Sequence, residues 1–422
     1  MKETMTRESH NARLWTLRSL IFVLAFWAIS SQTIARADVI SDWNAIGVTA
    51  CLTAGRGPAS YVDLAYMHLA VYDAVNAIDG EYSVFAVSPS TVPVGASQEA
   101  AAVAAAYKVL IALFPSQNIF LDAQYATSLA AIPNGQAKTD GIAVGEETAA
   151  LFLASRAGDG RNAPVTYTPG SGPGAWVPTP PAFLPPSVPW MGQMRPFAIP
   201  SASSFRIEGP PALSSPEYAA DFNEVKSLGA INSTTRTAEQ TVIGLFYTDP
   251  GPAQTGRCFR KIAMEHGMDV ADNARLFGAL YASLADSAIA SIEAKYYYGL
   301  WRPITAIRAA DTDGNPDTEV DPTWTPLVPT PNHPDYVSGH GATWGGFSEA
   351  LRQFFGTKQI NATMTSVVTG TERNFTSTDQ INNEIIDARV YVGFHTRTAD
   401  VHGVLMGKRI AKYIAKNYFQ PR

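Results

Sequence analysis

Thirty residues from Asp269 to Tyr298 constrain the fold most, because Leu276, Leu280, Leu284, Ile289 and Ile292 recur along them at helical spacing and the run is too long for a strand. The same periodicity returns at 59–80, where Leu64, Met67, Val71, Tyr72 and Val75 form a stripe that Gly80 stops, and again at 99–114, 139–156, 215–228 and 237–247. From Ala342 onward Phe347, Leu351, Phe354 and Phe355 repeat it up to Gly356. No strand-like alternation of any length competes with this pattern. With 46% hydrophobic and 16% charged residues, the chain predicts an all-α protein of packed helical bundles around a substantial core. His68 lies on the apolar stripe of 59–80 and reads as a packed core histidine.

Residues 1–37 read as a secretory signal peptide. Lys2, Arg7, Arg13 and Arg18 precede a ten-residue apolar run, 20–29, and Ala35-Arg36-Ala37 offers a small-x-small cleavage site. A membrane span needs about 20 apolar residues, so membrane contact is expected only if the signal stays uncleaved, and the expected location is secreted or periplasmic. Removing the segment leaves 26 basic against 35 acidic side chains, a net charge of −9, which argues against nucleic acid or an anionic membrane surface as partner. Cys51 and Cys258 remain, and the sequence leaves open whether they form a disulfide. It leaves the oligomeric state open as well.

The rest divides into an N-terminal helical region, 38–160, a Pro/Gly-rich loop, 161–205, and a C-terminal helical region, 206–422, that carries the candidate site. Between Pro164 and Pro200 stand 11 of the chain's 29 prolines, together with Trp176, Phe183, Trp190 and Phe197. Such a segment is not helical, and free linkers rarely carry so many large aromatics. It is expected to lie against the bundle as a long ordered loop, either covering the mouth of a site or simply packed.

Chemistry-bearing residues gather in three places. Lys295 and Arg302 close the long helical run, seven residues apart, so a helix continuing to Arg302 would put both cations on one face before Pro303 ends it. Their neighbours Tyr296, Tyr297, Tyr298, Leu300 and Trp301 suit burial, and buried cations require an anion. In the stretch Pro331 to Gly341, prolines at 331 and 334 keep the approach extended, and Ser338-Gly339-His340 falls at a helix start where free amides attract an anion. Arg389 and His395 stand near the C-terminus, with Gly393 able to break the helix between them. Three cations, a hydroxyl, a bare amide and two histidines suit a tetrahedral oxyanion.

These residues fall into three motifs: Lys295-x6-Arg302-Pro303, Val337-Ser338-Gly339-His340, and Ala388-Arg389-x5-His395. Together they resemble the signature of the vanadium-dependent haloperoxidase and type 2 phosphatidic acid phosphatase superfamily, in its bacterial haloperoxidase-related branch. The motifs cover roughly the last 130 residues. Val337 and Ala388 replace the usual proline and serine, and the aspartate that the phosphatase pattern places four residues after the last histidine is Ala399 here, with Asp400 one further on. A phosphohistidine enzyme would use that carboxylate to orient its imidazole.

The resemblance implies that Lys295, Arg302 and Arg389 neutralise the oxyanion, that Ser338 and the Gly339 amide add hydrogen bonds, that His395 binds vanadium and that His340 acts as acid and base. It makes vanadate the expected cofactor, and hydrogen peroxide, halide and small organic acceptors the expected partners. His333 takes the position where the family's bromoperoxidases tend to have histidine, so bromide or iodide is the favoured halide; filling space in the loop is the alternative. The same pocket would also suit an acid phosphatase acting on phosphate esters through His395, or a binder of oxyanions without turnover. A zinc site from His333, Asp335 and His340 conflicts with the neighbouring cations, and Ser338 lacks the elbow motif of a serine hydrolase.

Overall fold

Most helices begin where a short polar side chain accepts a free amide of the first turn. The structure is a computed structural model that describes residues 38–422, so the segment read as a secretory signal lies outside it. Asp38 caps α1 (Val39–Thr53), and α2 (Ser60–Asp79) ends at Gly80 in the left-handed conformation. Ser97 caps α3 (Gln98–Leu113), followed by α4 (Asn118–Ala130) and α5 (Gln136–Ser155). Beyond the Pro-rich segment, Ser215 caps α6 (Pro216–Gly229), and Thr237 with Gln240 forms a capping box on α7 (Ala238–Phe246). Then come α8 (Gly251–His266), α9 (Val270–Tyr298) capped by Asp269, and the short α10 (Pro303–Arg308). Ser338 caps α11 (Gly339–Phe355). A hairpin of β1 (Gln359–Ser366) and β2 (Thr371–Ser377) leads to α12 (Thr378–Tyr391) and α13 (Arg397–Asn417), capped by Ser377 and Thr396. The all-α expectation holds: the described residues form thirteen α-helices and one two-stranded hairpin.

The central helix is α9, whose Leu276, Leu280, Leu284 and Ile289 are fully buried and which packs on α2 from one side and on α11 from another. Helix α11 in turn lies along α13. These two approach unusually closely because glycines face each other across the contact. A Cβ on Gly345 would collide with the Val404 carbonyl oxygen, and one on Gly407 with that of Ala342. The close crossing brings the start of α11, with Ser338 and His340, against the start of α13, which follows His395.

Several details depart from the sequence reading. Helix α9 does not continue to Arg302. Gly299, at φ +58°, ends it, and Arg302 becomes the extended residue before α10. Lys295 and Arg302 therefore share no helical face and converge through a turn. The hairpin contradicts the statement that no alternation competes, since Ile360, Ala362, Met364 and Ser366 alternate inward along β1. Helices α1, α4, α8 and α10 lie where the sequence suggests no helix. Cys51 and Cys258 are free thiols, both buried, and burial pushes the Cys258 thiol up to about 12. His68 is a core residue: its ring stacks on Tyr281 with centroids 4.5 Å apart, and burial lowers its pKa to about 3.

The Pro-rich segment is anchored rather than draped over a site. Trp176 is fully buried, its amide donates to the Gly299 carbonyl at 2.7 Å, and the Trp301 amide returns a bond to Gly174. Further on, Asp286 of α9 accepts the amides of Phe197, Ala198 and Ile199 at 2.7–2.9 Å. The Ser187 amide donates to the Asn332 carbonyl at 2.9 Å, so the loop braces the stretch 331–341 from behind.

Candidate active site

Lys295 leaves the last turn of α9, Arg302 precedes α10, and Arg389 ends α12; each is at most 1% exposed. Burying three cations together is costly without compensating acceptors and anions. Backbone carbonyls supply part of the compensation. Lys295 Nζ donates to the carbonyls of Pro334 and Asp335 at 2.9 and 2.8 Å. Arg302 donates to those of His333 and Phe394, each at 2.7 Å, and Arg389 to that of Tyr247 at 2.9 Å. Phe394 also places its ring 4.7 Å from the Arg389 guanidinium. Burial lowers all three cations, Arg302 and Arg389 to about 10; neighbouring cations lower Lys295 and Arg389 further, while Asp335 and Asp400 oppose the shift.

Two buried carboxylates complete the charge balance. Asp335 accepts from His395 Nδ1 at 2.6 Å and from Thr396 Oγ1 at 3.3 Å, with Arg302 3.6 Å away. Burial raises its pKa to about 6 against the pull of Arg302 and Lys295. Asp400 is fully buried, and its two oxygens have no hydrogen bond of ordinary length. Burial holds its carboxyl well above the usual range, offset in part by the Ser338 hydroxyl and the Arg389 charge. The three basic side chains outnumber the two carboxylates, and burial favours the neutral acid at Asp400, an arrangement that an oxyanion fits.

His395 is 2% exposed. Because Nδ1–H donates to Asp335, the proton is fixed there and Nε2 keeps its lone pair for the cavity. Arg302 Nη1 stands 3.4 Å from each ring nitrogen, too far for a strong bond. His333 Nδ1 lies 2.9 Å from Arg302 Nη2; arginine only donates, so His333 accepts there and carries its proton on Nε2. His333, His340 and His395 are all held well below the usual histidine value, by burial first and then by the cations around them.

Lys295, His333, Gly339, His340, Arg389 and His395 line one cavity of about 350 Å³. Arg302 and Ser338, which the sequence also placed at the site, are fully buried and absent from that lining. The Ser338 oxygen accepts the Gly341 amide as the cap of α11 at 3.1 Å. Vanadate fits what is present: a cationic excess, the buried Arg389 Nε without a partner, and a histidine whose second nitrogen is free to bind.

Asp335 is the site residue that the sequence reading missed, apart from its dismissal as a zinc ligand. The signal was a carboxylate five residues before His340, inside a stretch already flanked by cations. The reading sought the orienting carboxylate after His395 and found Ala399 there; the fold supplies it from the loop before α11.

Lys295, Arg302, Asp335, His340, Arg389 and His395 all come from the C-terminal region, 206–422. Within it, residues 275–421 match the VCPO second helical-bundle domain, and the chain takes the vanadium haloperoxidase fold. Over 152 residues it is 30% identical to vanadium chloroperoxidase of Curvularia inaequalis, covering 30% of this chain and 24% of that one. The match therefore spans about a quarter of the curated relative. Among solved structures, a bacterial vanadium-dependent iodoperoxidase superposes with a TM-score of 0.78 at 23% identity, over 91% of this chain and 96% of that one. A bacterial vanadium-dependent chloroperoxidase in its holo form superposes with a TM-score of 0.68 at 17% identity, over 92% and 94%.

Proposed function

We propose that this protein is a vanadium-dependent haloperoxidase that oxidises halide, bromide or iodide in preference, with hydrogen peroxide. The observation that carries the reading is the setting of His395: Asp335 holds Nδ1–H at 2.6 Å, which leaves the lone pair on Nε2 of a ring that lines one cavity with buried Lys295 and Arg389. His395 Nε2 would hold the vanadate, with Lys295, Arg302 and Arg389 neutralising its charge and the Gly339 amide donating to it. Bound vanadate supplies Lewis acidity that activates peroxide toward a halide. His340 would accept the peroxide proton, burial and its cationic neighbours favouring the neutral imidazole, and His333 would serve the halide side of the cavity. The iodoperoxidase relative is in keeping with an easily oxidised halide. Secretion through residues 1–37 remains part of the proposal.

A second reading is supported by the same pair. Asp335 gives His395 the orienting carboxylate that a phosphohistidine needs, so the objection drawn from Ala399 loses its force. Purified, phosphate-stripped protein should be assayed for bromide and iodide oxidation with and without orthovanadate, beside p-nitrophenyl phosphate hydrolysis. Vanadate-dependent oxidation is expected; hydrolysis inhibited by vanadate, without oxidation, would replace this reading with the phosphatase.

Two further results are expected at the site. Asp335→Asn keeps the shape but removes the charged acceptor from Nδ1, so vanadate affinity should fall about 10–100-fold; wild-type affinity by calorimetry would remove Asp335 from this role. The second concerns protons. Burial and cationic neighbours hold Lys295 and His340 below their ordinary values, and a bound anion opposes the cationic contribution, so anion binding shifts both upward and lower pH favours it. Sulfate, which does not itself titrate near neutrality, should bind more tightly as pH falls. An affinity that is flat or rises with pH contradicts this account.

A further inference from the structure

Anions reach the oxyanion floor through a mouth that carries little charge. Three segments that line the cavity, 52–58, 247–252 and 326–333, come to the surface at Leu52, Pro250 and Pro329. Arg56 and Asp249 are their charged residues. Asp249 is 2% exposed and paired with Arg257. The charge that meets solvent is therefore Arg56, whose side chain is 18% exposed immediately before Gly57 and Pro58 of the lining.

Arg56 belongs to a cluster. Its Nε donates to Asp63 Oδ2 at 2.6 Å, and Arg161 Nε, from the start of the Pro-rich segment, donates to Asp63 Oδ1 at 2.7 Å. Asn162 turns its side-chain oxygen to Arg56 Nη2 at 3.0 Å. Asp63 is fully buried, so two guanidinium groups share one carboxylate and one positive charge is left over. The neighbouring Asp159 is already paired with Arg156 and accepts from the Tyr66 hydroxyl and the Arg161 amide. Among the described residues no acceptor takes Arg56 Nη1 or either Nη of Arg161. The Trp190 ring lies 5.8 Å from the Arg56 guanidinium.

We propose that Arg56 and Arg161 form a docking site for a weakly hydrated monovalent anion, iodide or bromide, at the rim of the cavity and outside the oxyanion floor. The inference deepens the haloperoxidase reading and rests on it for the use of the anion. Charge sets the class, because one surplus positive charge is matched by a monovalent anion. Hydration sets the kind: guanidinium is more weakly hydrated than ammonium, and such a cation pairs best with an anion that also sheds water easily, so iodide and bromide are favoured over chloride and fluoride. Position sets the role. A positive charge at the mouth of a low-dielectric cavity, on a chain of net charge −6, gathers anions from solution.

Trp190 makes the site readable. Trp43, Trp176, Trp301, Trp324 and Trp344 are at most 4% exposed, whereas Trp190 is partly exposed, and iodide quenches indole fluorescence on contact. Iodide titrated into the mature protein at constant ionic strength, with sulfate on the floor, should quench saturably with half-saturation near about 10 mM, a weak affinity. Neutral acrylamide should quench without saturating. Iodide quenching that rises linearly overturns the proposal. Trp190→Phe should remove the saturating signal, and its persistence overturns the location. Arg161→Gln should weaken iodide binding by about fivefold or more; unchanged affinity in the folded variant overturns the site. Should that variant fail to fold, wild-type protein decides: perchlorate, weakly hydrated and not a quencher, should displace iodide where fluoride at equal ionic strength does not, and equal effects of the two overturn the site. In turnover, Arg161→Gln should raise KM for iodide about tenfold while kcat stays within about twofold; an unchanged KM overturns the recruiting role. Saturable quenching without any halide oxidation would defeat the haloperoxidase reading while the anion site stood. Halide oxidation with linear quenching would defeat the rim site alone.

Discussion

His395→Ala is expected to abolish vanadate-dependent halide oxidation, by a factor on the order of 10³ or more, while the helical fold is retained. The size follows from what is lost. Asp335→Asn leaves the imidazole in place and only releases its tautomer, a change worth about 10–100-fold, whereas alanine removes the nitrogen that would hold the oxyanion. The cationic floor survives the change, so sulfate should still bind, more weakly. That split between binding and turnover separates a ligand histidine from one that merely fills space. Initial rates of iodide oxidation at saturating orthovanadate, beside sulfate affinity, measure it; turnover within tenfold of wild type would remove His395 from the chemistry. Under the phosphatase reading the same variant loses hydrolysis, so the substitution tests the histidine and the paired assay tests the reaction.

Gly407→Ala is expected to destabilise the protein by about 3 kcal/mol and to weaken oxyanion binding with it. Two effects oppose each other. Alanine in a helix interior is favoured over glycine by about 1 kcal/mol, and overpacking typically costs about 1–3 kcal/mol, more where nothing can give way. Here overpacking wins, because the atom met is the Ala342 backbone carbonyl oxygen, with the Gly346 amide close behind, and neither can rotate aside. Relief requires α11 and α13 to separate, which moves His340 away from His395. Thermal unfolding should show a midpoint lower by several degrees, and sulfate titration a parallel loss. A midpoint at or above wild type would show that the close crossing of α11 and α13 is not needed.

Stability far from the site carries its own pH signature, which bears on any comparison of variants. Burial depresses His68 to about 3 in the folded protein from an ordinary value of 6.5. The unfolded chain therefore binds the proton first, and the folded state loses stability as pH falls below about 6.5. Variants of the site are best compared above that value.

Much of the fold was legible because helical periodicity is a local property. Positions 276, 280, 284, 289 and 292 declare α9 whatever packs around them, and the capping serine at 338 declares the start of α11. Motif spacing likewise groups Lys295, His340, Arg389 and His395, and all four line one cavity. Three local signals failed. Gly299 could have been read as a stop, yet the spacing of Lys295 and Arg302 suggested continuity. The alternation of Ile360, Ala362 and Met364 was short and polar between its apolar positions. Helix α8 carries few large apolar residues, Phe259 and Ile262 among Gln254, Arg257, Arg260 and Lys261, although those few fall on one buried face.

What the sequence by itself determined was the helical class and the grouping of the residues proposed to hold an oxyanion, because periodicity, caps and motif intervals are written along the chain. What only the tertiary structure decided was which carboxylate orients His395, where Arg302 and Ser338 lie relative to the cavity wall, whether the two cysteines pair, and how far the apolar cavity extends. Each depends on which segments meet across hundreds of residues. Asp335 reaches His395 only because the turn after α9, the loop before α11 and the α12–α13 corner close on one another, and that closure is set by glycine-lined packing that no local pattern records.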